Sequence, residues 1–456
     1  MVFANIKPYV RIQLMIAACL NIGHIVDGYS VAWTAPILPK LKNITESPLS
    51  HVLSEYATSW VVSAMYVGTF GSYIGGFMAN IIGRKPCLII GGSMIFLSYA
   101  ILTFAYNIWM IFFGRFLNGF GVSFAIITSL IYIGEMSSPA IRGVILTSTG
   151  VFHAFGVLIV YAVGPFTTYH GVEYIAMGLA LLYTFACFFV PETPVYYVIK
   201  GNEEAAKASL QYLGRTNDIE NELKKMVANI VTKDSKGLLW RQLLFTKSNR
   251  KSLLISIPLC FFQMNSGIMM SMFYATTIFE DANSSVQPHV ATIIIGVTSF
   301  LGAILSPALV ERFGRRMLLI ISTGGCCTFM TIIGAYFYFK QFNSQTVESL
   351  GWLPLAALVL GFISYAVGLA IIPNALTSEM FEINVRGLGS SVSYLTGLLS
   401  GFLSTTVSGY MMAYAGNYYA FWLFAAINLI ALIFVGLVVP ETAGKSLTEI
   451  NSMMAN

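Results

Sequence analysis

A carboxylate, Asp27, lies inside a long apolar stretch that reads MIAACLNIGHIVDGYSVAW over residues 15–33. A charge inside a membrane helix costs about 2.5–3.5 kcal/mol or more unless it is paired, so its default interpretation is functional. On an ideal helix it shares one face with Asn21, His24, Gly28 and Thr34, while Ile22, Ile25, Val26 and Trp33 take the other side. Arg115 is the first expected partner and His24 the second. The chemistry available to such a pair is reversible proton binding or a structural ion pair.

Arginine and glutamate also recur in the same order in the two halves of the chain. The repeated patterns are GRK at 83–85 with GRR at 314–316, GEMSSPAIRG at 134–143 with SEMFEINVRG at 378–387, and PET at 191–193 with PET at 440–442. Opposite charges at several helix ends predict an ion-pair network that holds the two halves together on one side. Such a network discriminates between conformations if it exists in only one of them.

The elements that must position these residues are membrane-spanning helices. The chain has 456 residues, of which 56% are hydrophobic and only 10% charged, whereas a soluble domain has about 25% charged residues. Apolar runs long enough to cross a bilayer as helix recur twelve times. They lie near 12–38, 56–79, 87–106, 110–134, 144–164, 173–190, 252–279, 290–310, 317–339, 353–377, 388–414 and 418–438.

The distribution of basic residues predicts the orientation in the membrane. Lys and Arg cluster at alternate span ends and in the 191–251 connection, which places those ends and both termini in the cytoplasm. Two N-x-S/T sequons, at Asn43 and Asn283, fall on the opposite side, where glycosylation is expected. The net charge of +5 therefore follows membrane topology and does not indicate a nucleic-acid partner.

The repeats predict two six-helix bundles, a duplication typical of transporters whose halves rock about a central site. The bundles are expected over 1–194 and 251–440, with a cytoplasmic linker at 195–250 and a cytoplasmic tail at 441–456. Within the linker, EEAAKASLQYLG and DIENELKKMVANIV have the charge spacing of short helices.

No pattern in the sequence indicates an enzyme. There is no nucleophile elbow and no phosphate loop, and the six cysteines have no C-x-x-C spacing. We interpret these cysteines as small apolar residues inside the spans. No metal, cofactor or catalytic residue is expected, and we expect a monomer in the lipid bilayer of the plasma membrane.

Taken together, the motifs identify a resemblance to a known family. SWVVSAMYVGTFGSYIGG with IIGRK, GRFLNGFG, IYIGEMSSPAIRG, VPETP, VERFGRR and VPETAGKSLTEI resemble the sugar porters of the major facilitator superfamily. The chain is most similar to the insect facilitated trehalose transporters and the facilitative glucose transporters. The resemblance covers nearly the whole chain and implies an all-α protein of twelve transmembrane helices in two pseudo-symmetric six-helix bundles.

The resemblance also implies a role for the repeated charges, which close the cytoplasmic side in the outward-facing state of the family. By this resemblance, the expected gate residues are Arg84, Glu135, Arg142 and Glu192 in the first half and Arg315, Glu379, Arg386 and Glu441 in the second. Val195 departs from the family, which usually has arginine after this VPETP segment, so one arm of the gate is expected to be weaker.

A sugar site needs amides and hydroxyls with apolar or aromatic walls, because unpaired polar groups in a dry cavity are costly. Gln263 and Asn265 have that chemistry, although interhelical hydrogen bonding is an equal alternative for them. The further substrate-binding candidates are Thr149, His153, Ser299, Asn374 and Ser30.

The set of sugar ligands is thinner than the family's. Met264 and Met269 replace a glutamine and an asparagine, Gly150 aligns with a glutamine, Ser299 with an asparagine and Asn374 with a tryptophan. For His153, helix packing is at least as good an interpretation as ligand binding.

These observations favour a facilitative carrier of a sugar such as trehalose or a hexose, working by alternating access. In proton-coupled sugar porters, a first-span aspartate after a Gly-aromatic pair works with an arginine aligned with Arg115. Here Ser30 takes that position and Asp27 lies three residues earlier. The alternatives are a proton-coupled symporter using Asp27 and Arg115, and a sugar sensor of the same fold that does not transport.

Overall fold

The computed structural model describes residues 8–214, 219–231, 236–342, 347–382, 385–442, 449 and 453–454. Within these ranges the secondary structure is helical and contains no strand. The helices up to the PET segment at 191–193 are α1 (Pro8–Ala32), α2 (Thr34–Lys42), α3 (Glu55–Gly68), α4 (Gly71–Ile81), α5 (Arg84–Thr103), α6 (Ile108–Met136), α7 (Pro139–Val163) and α8 (Tyr169–Phe189).

Four short helices follow in the polar connection. They are α9 (Pro194–Ile199), α10 (Glu203–Tyr212), α11 (Ile219–Val231) and α12 (Lys236–Phe245). The predicted linker helices are confirmed as α10 and α11. Asn202 begins α10 as its N-cap, because its side chain accepts a hydrogen bond from the amide of Ala205 at 3.0 Å.

The second half of the chain repeats the pattern of long helices. Its helices are α13 (Lys247–Met264), α14 (Ile268–Phe273), α15 (Ala275–Ala282), α16 (Pro288–Phe313), α17 (Arg315–Phe342), α18 (Leu353–Val367), α19 (Ile372–Met380), α20 (Arg386–Tyr410) and α21 (Asn417–Val438). A π-helical turn, Met411–Ala415, joins α20 to α21.

Eleven described helical segments are long and apolar enough to cross a membrane. The remaining predicted span, 388–414, is also helical. Its helix α20 reads RGLGSSVSYLTGLLSGFLSTTVSGY and is rich in glycine, serine and threonine, which lower its hydropathy. Small residues of this kind let membrane helices pack closely. The element pattern is therefore that of twelve spans, with one adapted to packing against neighbouring helices.

Four of the predicted spans are interrupted. The first breaks between α1 and α2 and the second between α3 and α4. The seventh breaks between α13 and α14, where Gly267 has φ +85° and an added Cβ would lie 2.9 Å from Met330 Sδ. The tenth breaks between α18 and α19. Broken helices of this kind expose backbone carbonyls and side chains to a ligand in many transporters.

Contacts divide the chain into two compact units. One unit contains the described residues of Met1–Val31, Val67–Ile159 and Thr167–Ser235, and the other contains those of Ala32–Tyr66, Val160–Phe166 and Lys236–Asn456. In the first unit α5 packs against α6 and α8, and in the second α17 packs against α18 and α21. The bundle boundaries expected at 194 and 251 follow the sequence repeat and stay a prediction.

The first helix is packed on more sides than the sequence predicts. Asn21 and His24 are 3% and 4% exposed, as expected for the inward face. However, Val26 and Trp33, which were expected on the opposite side, are 1% and 0% exposed. The side of the first span opposite Asp27 is therefore covered as well at these two positions.

Candidate functional site

Asp27 forms an ion pair with His153. The distance between Asp27 Oδ2 and His153 Nδ1 is 2.8 Å, and the two side chains are 20% and 31% exposed. The contact joins α1 to α7. Two glycines make it possible, because an added Cβ on Gly28 would lie 1.8 Å from the carbonyl oxygen of His153 and one on Gly156 would lie 2.0 Å from that of Ile25. The two backbones therefore touch, and the ion pair lies next to this contact along the chain.

Two more polar contacts accompany this pair along α1. The amide of Asn21 donates to Ser148 Oγ on α7 at 3.0 Å. His24 Nε2 lies 3.4 Å from Ser129 Oγ on α6. One face of α1 thus carries a row of polar groups, each matched by a side chain from a neighbouring helix of the same unit.

Arg115 has a different environment from the one expected. It is fully buried on α6 and donates from Nη1 to the carbonyl oxygen of Ser30 at 3.0 Å. Glu173, which is also fully buried, is an electrostatic neighbour of Arg115. The ion-pair partner of Asp27 is His153 and not Arg115 or His24.

Ser30 takes part in a buried hydrogen-bond cluster. Its hydroxyl lies 2.7 Å from the hydroxyl of Tyr99 and donates to the carbonyl oxygen of Val26 at 2.7 Å. Its side chain is fully buried. In this conformation, the hydroxyl of Ser30 therefore connects α1 to α5, and the carbonyl oxygen of the same residue accepts the hydrogen bond from Arg115.

The repeated charges form a compact arrangement in the first unit. Glu192 accepts hydrogen bonds from the backbone amides of Arg84 and Lys85 at 3.1 and 3.0 Å, so its carboxylate lies at the N-terminus of α5. A negative charge there is stabilised by the helix dipole. Gly83 has φ +107°, and an added Cβ would lie 2.4 Å from Glu192 Oε2. Burial raises the pKa of the Glu192 carboxyl above its ordinary value, although the backbone amides act in the opposite direction.

A second carboxylate completes this arrangement. Arg84 Nη2 lies 2.7 Å from Glu135 Oε1, and the hydroxyl of Thr193 donates to Glu135 Oε2 at 2.6 Å. Arg84 is only 2% exposed. The three patterns in the first half of the sequence therefore meet in one hydrogen-bonded group.

The second unit repeats the geometry atom by atom. Glu441 accepts from the amides of Arg315 and Arg316 at 3.1 and 3.0 Å, at the N-terminus of α17. Arg315 Nη2 lies 3.0 Å from Glu379 Oε1, and Thr442 donates to Glu379 Oε2 at 2.8 Å. The preceding glycine, at 314, has φ +83°.

The other two predicted gate arginines lie outside these groups. Arg142 donates from Nη2 to the carbonyl oxygen of Ser137 at 3.1 Å. In Arg386, Nε and Nη2 are buried and have no hydrogen-bond partner among the described residues. In this conformation both guanidinium groups keep unused donors.

The two amides of the broken seventh span differ in how they are used. Gln263 donates to the carbonyl oxygen of Ala370 at 3.0 Å, in the break between α18 and α19. Its own Oε1 is buried without a hydrogen-bond partner in the described part of the chain. Asn265 donates to Phe261 O at 2.9 Å and to Ser400 Oγ on α20 at 3.0 Å. Gln263 therefore offers a free acceptor, whereas the Asn265 amide joins two helices.

The remaining candidates are dispersed. Thr149 donates to the carbonyl oxygen of Leu146 at 2.7 Å. Ser299 Oγ is buried and has no partner within the described ranges. Asn374, on α19, is exposed. At Gly150 an added Cβ would meet nothing within 4 Å, so this position adjoins open space.

Sequence reasoning missed several residues of these groups. Thr193 and Thr442 donate to the carboxylates of Glu135 and Glu379, and their repetition in the two PET segments was the available signal. Tyr99 and Glu173, which surround Ser30 and Arg115, gave no such signal, because a single tyrosine or glutamate has no repeat or spacing that identifies it.

Comparison with known proteins identifies the family. The sequence model described as "Sugar (and other) transporter" matches residues 16–454. The facilitated trehalose transporter Tret1 of Polypedilum vanderplanki is 34% identical over 98% of this chain and 88% of its own length. The chain is 33% identical to the Tret1 of Anopheles gambiae but spans only 56% of that relative.

Solved structures show the same fold. The inward open conformation of the xylose transporter XylE from E. coli matches with a TM-score of 0.81 and 22% identity, covering 97% of this chain and 99% of that one. A transporter of the POT family in complex with 5-aminolevulinic acid matches with a TM-score of 0.69 and 12% identity, over 93% and 96% of the two chains. The chain is thus a multi-pass membrane protein with the major facilitator fold, and it belongs to the sugar transporter family.

Proposed function

We propose that this protein is a facilitative carrier that moves trehalose or a hexose across the membrane by alternating access, without chemical change to the sugar. The trehalose transporters among the relatives support the sugar class, and their designation as facilitated transporters supports uniport. The geometry of the charged groups, repeated once in each unit, supports a duplicated carrier whose halves change their relative arrangement.

The observation that carries the sugar assignment is the free acceptor of Gln263. Its Oε1 is buried and unpaired, beside a break in the tenth span. A buried acceptor without a partner costs about 1–3 kcal/mol, which a hydroxyl donor of a neutral ligand would recover. An anion without an O–H or N–H group would not donate such a hydrogen bond.

Uptake of labelled trehalose, glucose and fructose into proteoliposomes tests the proposal. We expect uptake of at least one sugar, and Gln263→Ala should raise its KM by about 2- to 10-fold, the value of one hydrogen bond. Gln211→Ala is the matched control, because Gln211 is an exposed amide on α10. Uptake of none of the three sugars by a folded protein would contradict the carrier assignment and favour the sensor.

We further propose that the protein acts as a monomer in the plasma membrane, with both termini in the cytoplasm. The positions of the two sequons support this orientation, since both are expected on the outer side of the membrane. Asn43 and Asn283 are both exposed, and their neighbours Lys42 and Asp281 line one pocket of the second unit. The two asparagines therefore lie at the same end of that unit, where glycosylation is proposed.

The ion pair between Asp27 and His153 favours proton-coupled transport as the second candidate. A partly exposed aspartate and histidine 2.8 Å apart can exchange a proton with water during the transport cycle. This pair replaces the expected combination of Asp27 with Arg115, whose buried guanidinium is held by the Ser30 carbonyl.

A pH gradient separates the two candidates. If transport is uniport, an inward proton gradient leaves the initial sugar uptake rate unchanged in the wild type. If the pair couples protons, the gradient accelerates uptake, and both Asp27→Asn and His153→Gln abolish the acceleration while sugar exchange between equal concentrations continues.

A further inference from the structure

The segment from Lys236 to Lys251 carries basic residues and no acidic one. It reads KGLLWRQLLFTKSNRK, with three lysines and two arginines, and the next carboxylate in the sequence is that of Glu280. The preceding linker helices differ, because the lysines of α10 and α11 are accompanied by glutamates on the same helix. The segment that leads into the seventh span therefore has a net positive charge.

One side of α12 packs against the second unit. Leu243 is fully buried in an apolar cluster with Leu253, Phe381 and Val385. The chain then forms a corner, since Thr246 has an extended backbone, with φ −75° and ψ 127°, at the start of α13. The helix α12 is therefore fixed to the protein but does not continue the axis of the span.

The other side of α12 is exposed and largely apolar. Trp240, Leu244 and Phe245 are 45%, 49% and 79% exposed. Because successive residues of a helix are about 100° apart, these three side chains share one half of the helix surface, and the exposed Arg241 lies between them. Aromatic and aliphatic side chains beside a cation are typical of helices that lie in the membrane interface.

The first turns of α13 show where the bilayer begins. Leu254 is 65% exposed within the apolar seventh span, so this face of α13 is directed towards lipid. Arg250 and Lys251 are exposed on the same face, about one turn or 5.4 Å before it. The headgroup region extends about 5–7 Å beyond the hydrocarbon core, so both cations reach it. Since α12 ends two residues before α13 begins, its exposed face lies beside the headgroups.

The two arginines of this region are available to an external anion. No ion pair joins Arg241 or Arg250 to a carboxylate within the described part of the chain. Lys251 donates from Nζ to the carbonyl oxygen of Met453 at 3.4 Å, which leaves its charge unbalanced. Clusters of about four to eight basic residues directly beside a span are typical of segments that bind acidic lipids.

We propose that this surface binds the anionic headgroups of phospholipids in the surrounding membrane. The α12 surface consists of Trp240, Arg241, Leu244, Phe245, Arg250 and Lys251. Its apolar side chains enter the interface between headgroups and acyl chains, and its cations bind the phosphate and carboxylate groups of the lipid. In the proposed orientation this is the cytoplasmic leaflet, which carries the anionic lipids of a cell membrane. The lipid contact does not depend on the sugar substrate.

Quenching of Trp240 fluorescence by brominated lipids tests the α12 surface in the whole chain, without sugar. The protein is reconstituted in phosphatidylcholine that contains the same small fraction of either brominated phosphatidylserine or brominated phosphatidylcholine. The signal of Trp240 is the difference between the wild type and Trp240→Phe, because the chain has six tryptophans. We expect phosphatidylserine to bind about fivefold more tightly or better, the contribution of one cation near the membrane surface.

Two arginine substitutions and a high-salt measurement make the result specific. Arg241→Gln combined with Arg250→Gln should lower the preference by about fivefold. Lys207→Gln combined with Lys224→Gln removes the same charge among the glutamates of the linker and should leave the preference unchanged. Both arginines are exposed, so the melting temperature should stay that of the wild type. Raising the salt concentration to about 1 M should remove the preference by screening, while quenching by brominated phosphatidylcholine persists.

Each outcome decides for or against the α12 surface. Equal quenching by the two brominated lipids in the wild type, or a preference that both double variants retain, would overturn the binding of anionic headgroups. If neither lipid quenches Trp240, the exposed face lies in water or against another protein, which would overturn the membrane contact. A protein that shows the lipid preference but moves no sugar would contradict the proposed carrier and support this surface.

Discussion

Gly28 determines how closely α1 approaches α7, because any side chain there would collide with the carbonyl oxygen of His153. That approach holds Asp27 within 2.8 Å of the imidazole. The pair thus depends on a residue that itself carries no chemistry. A charge in a membrane helix is tolerated when its neighbour is fixed by packing of this kind.

A comparison of two glycines tests this packing. Gly28→Ala should destabilise the protein by about 1–3 kcal/mol or more, since the backbones must separate. Gly150→Ala is the matched control, because its Cβ would meet nothing within 4 Å. In a helix this change should be neutral or stabilise by about 0.4–1 kcal/mol. Thermal unfolding in detergent measures both, and equal melting temperatures for the two variants would contradict the close contact.

At this scale the sequence predicts which residues carry chemistry better than it predicts their partners. Helical periodicity correctly placed Asn21 and His24 on a buried face. It could not reveal that α7 would deliver His153 to Asp27, because pairing across helices depends on the packing of distant segments. For the same reason Gln263 and Asn265 look equivalent in the sequence but differ in how their amides are used.

The first helical turns of α5 and α17 are each closed by a carboxylate from a distant part of the chain. Glu192 and Glu441 bind two backbone amides each, and a glycine with positive φ precedes each helix. In each unit, a carboxylate that follows one span thereby binds the first backbone amides of another span.

The raised pKa of Glu192 gives this cap a pH dependence. The carboxyl of Glu192 binds its proton more tightly in the folded state than in the unfolded state. Its contribution to the free energy of unfolding is therefore complete below the unfolded pKa and is lost as pH rises through the folded pKa. As pH rises above the ordinary pKa of a glutamate carboxyl and through the raised pKa of Glu192, the wild-type melting temperature should therefore fall relative to that of Glu192→Gln, which does not titrate. Parallel curves for the two proteins would contradict this origin of the pH dependence.

The threonine hydroxyls provide a second test at the level of elements. Thr193→Val removes the hydrogen bond to Glu135, and Thr442→Val removes its counterpart to Glu379. A hydrogen bond to a charged group contributes about 1.5–3 kcal/mol, so each variant should lose that much stability. Thr298→Val is a control, because its hydroxyl donates only to the carbonyl of Ile294 on its own helix. Losses no larger than in this control would contradict the role of the PET segments.

The sequence predicts the long helices well because apolar length is a strong signal. It does not predict the break at Gly267 or the π-helical turn after α20, since both depend on local backbone geometry that composition does not encode. The position of the turn beside Tyr274 emerges only when distant helices are brought together.

The duplicated charged groups are the property of the whole molecule that is most relevant to transport. If they hold one conformation of a carrier, weakening one of them changes the balance between conformations. Glu379→Gln should therefore slow sugar transport by about fivefold, which corresponds to about 1 kcal/mol, while the protein remains folded in the membrane. Normal initial uptake at a matched amount of protein would exclude Glu379 from the gate. Glu204→Gln, at an exposed position on α10, provides the comparison.

The fold of the whole molecule could be predicted from the repeats and the apolar runs, and the comparisons confirm it. The division of the chain into two units by contacts could not be predicted from the sequence. Segments 32–66 and 160–166 precede the linker in sequence but belong by contacts to the unit that contains the later helices. Repeats in a sequence show ancestry and covalent order, whereas the packing of span ends depends on the conformation of the molecule.

This grouping has a consequence for attempts to produce the protein as separate fragments. Thr34 donates to the carbonyl oxygen of Phe273 at 3.0 Å, and the hydroxyl of Tyr161 donates to that of Met272. A fragment that begins after the linker would lack both donors and leave these carbonyls, at the break of α14 and α15, without partners. We therefore expect that two separately encoded fragments restore a folded protein only when both are synthesised in the same membrane. The later fragment would fold completely only after the earlier one supplies these two donors.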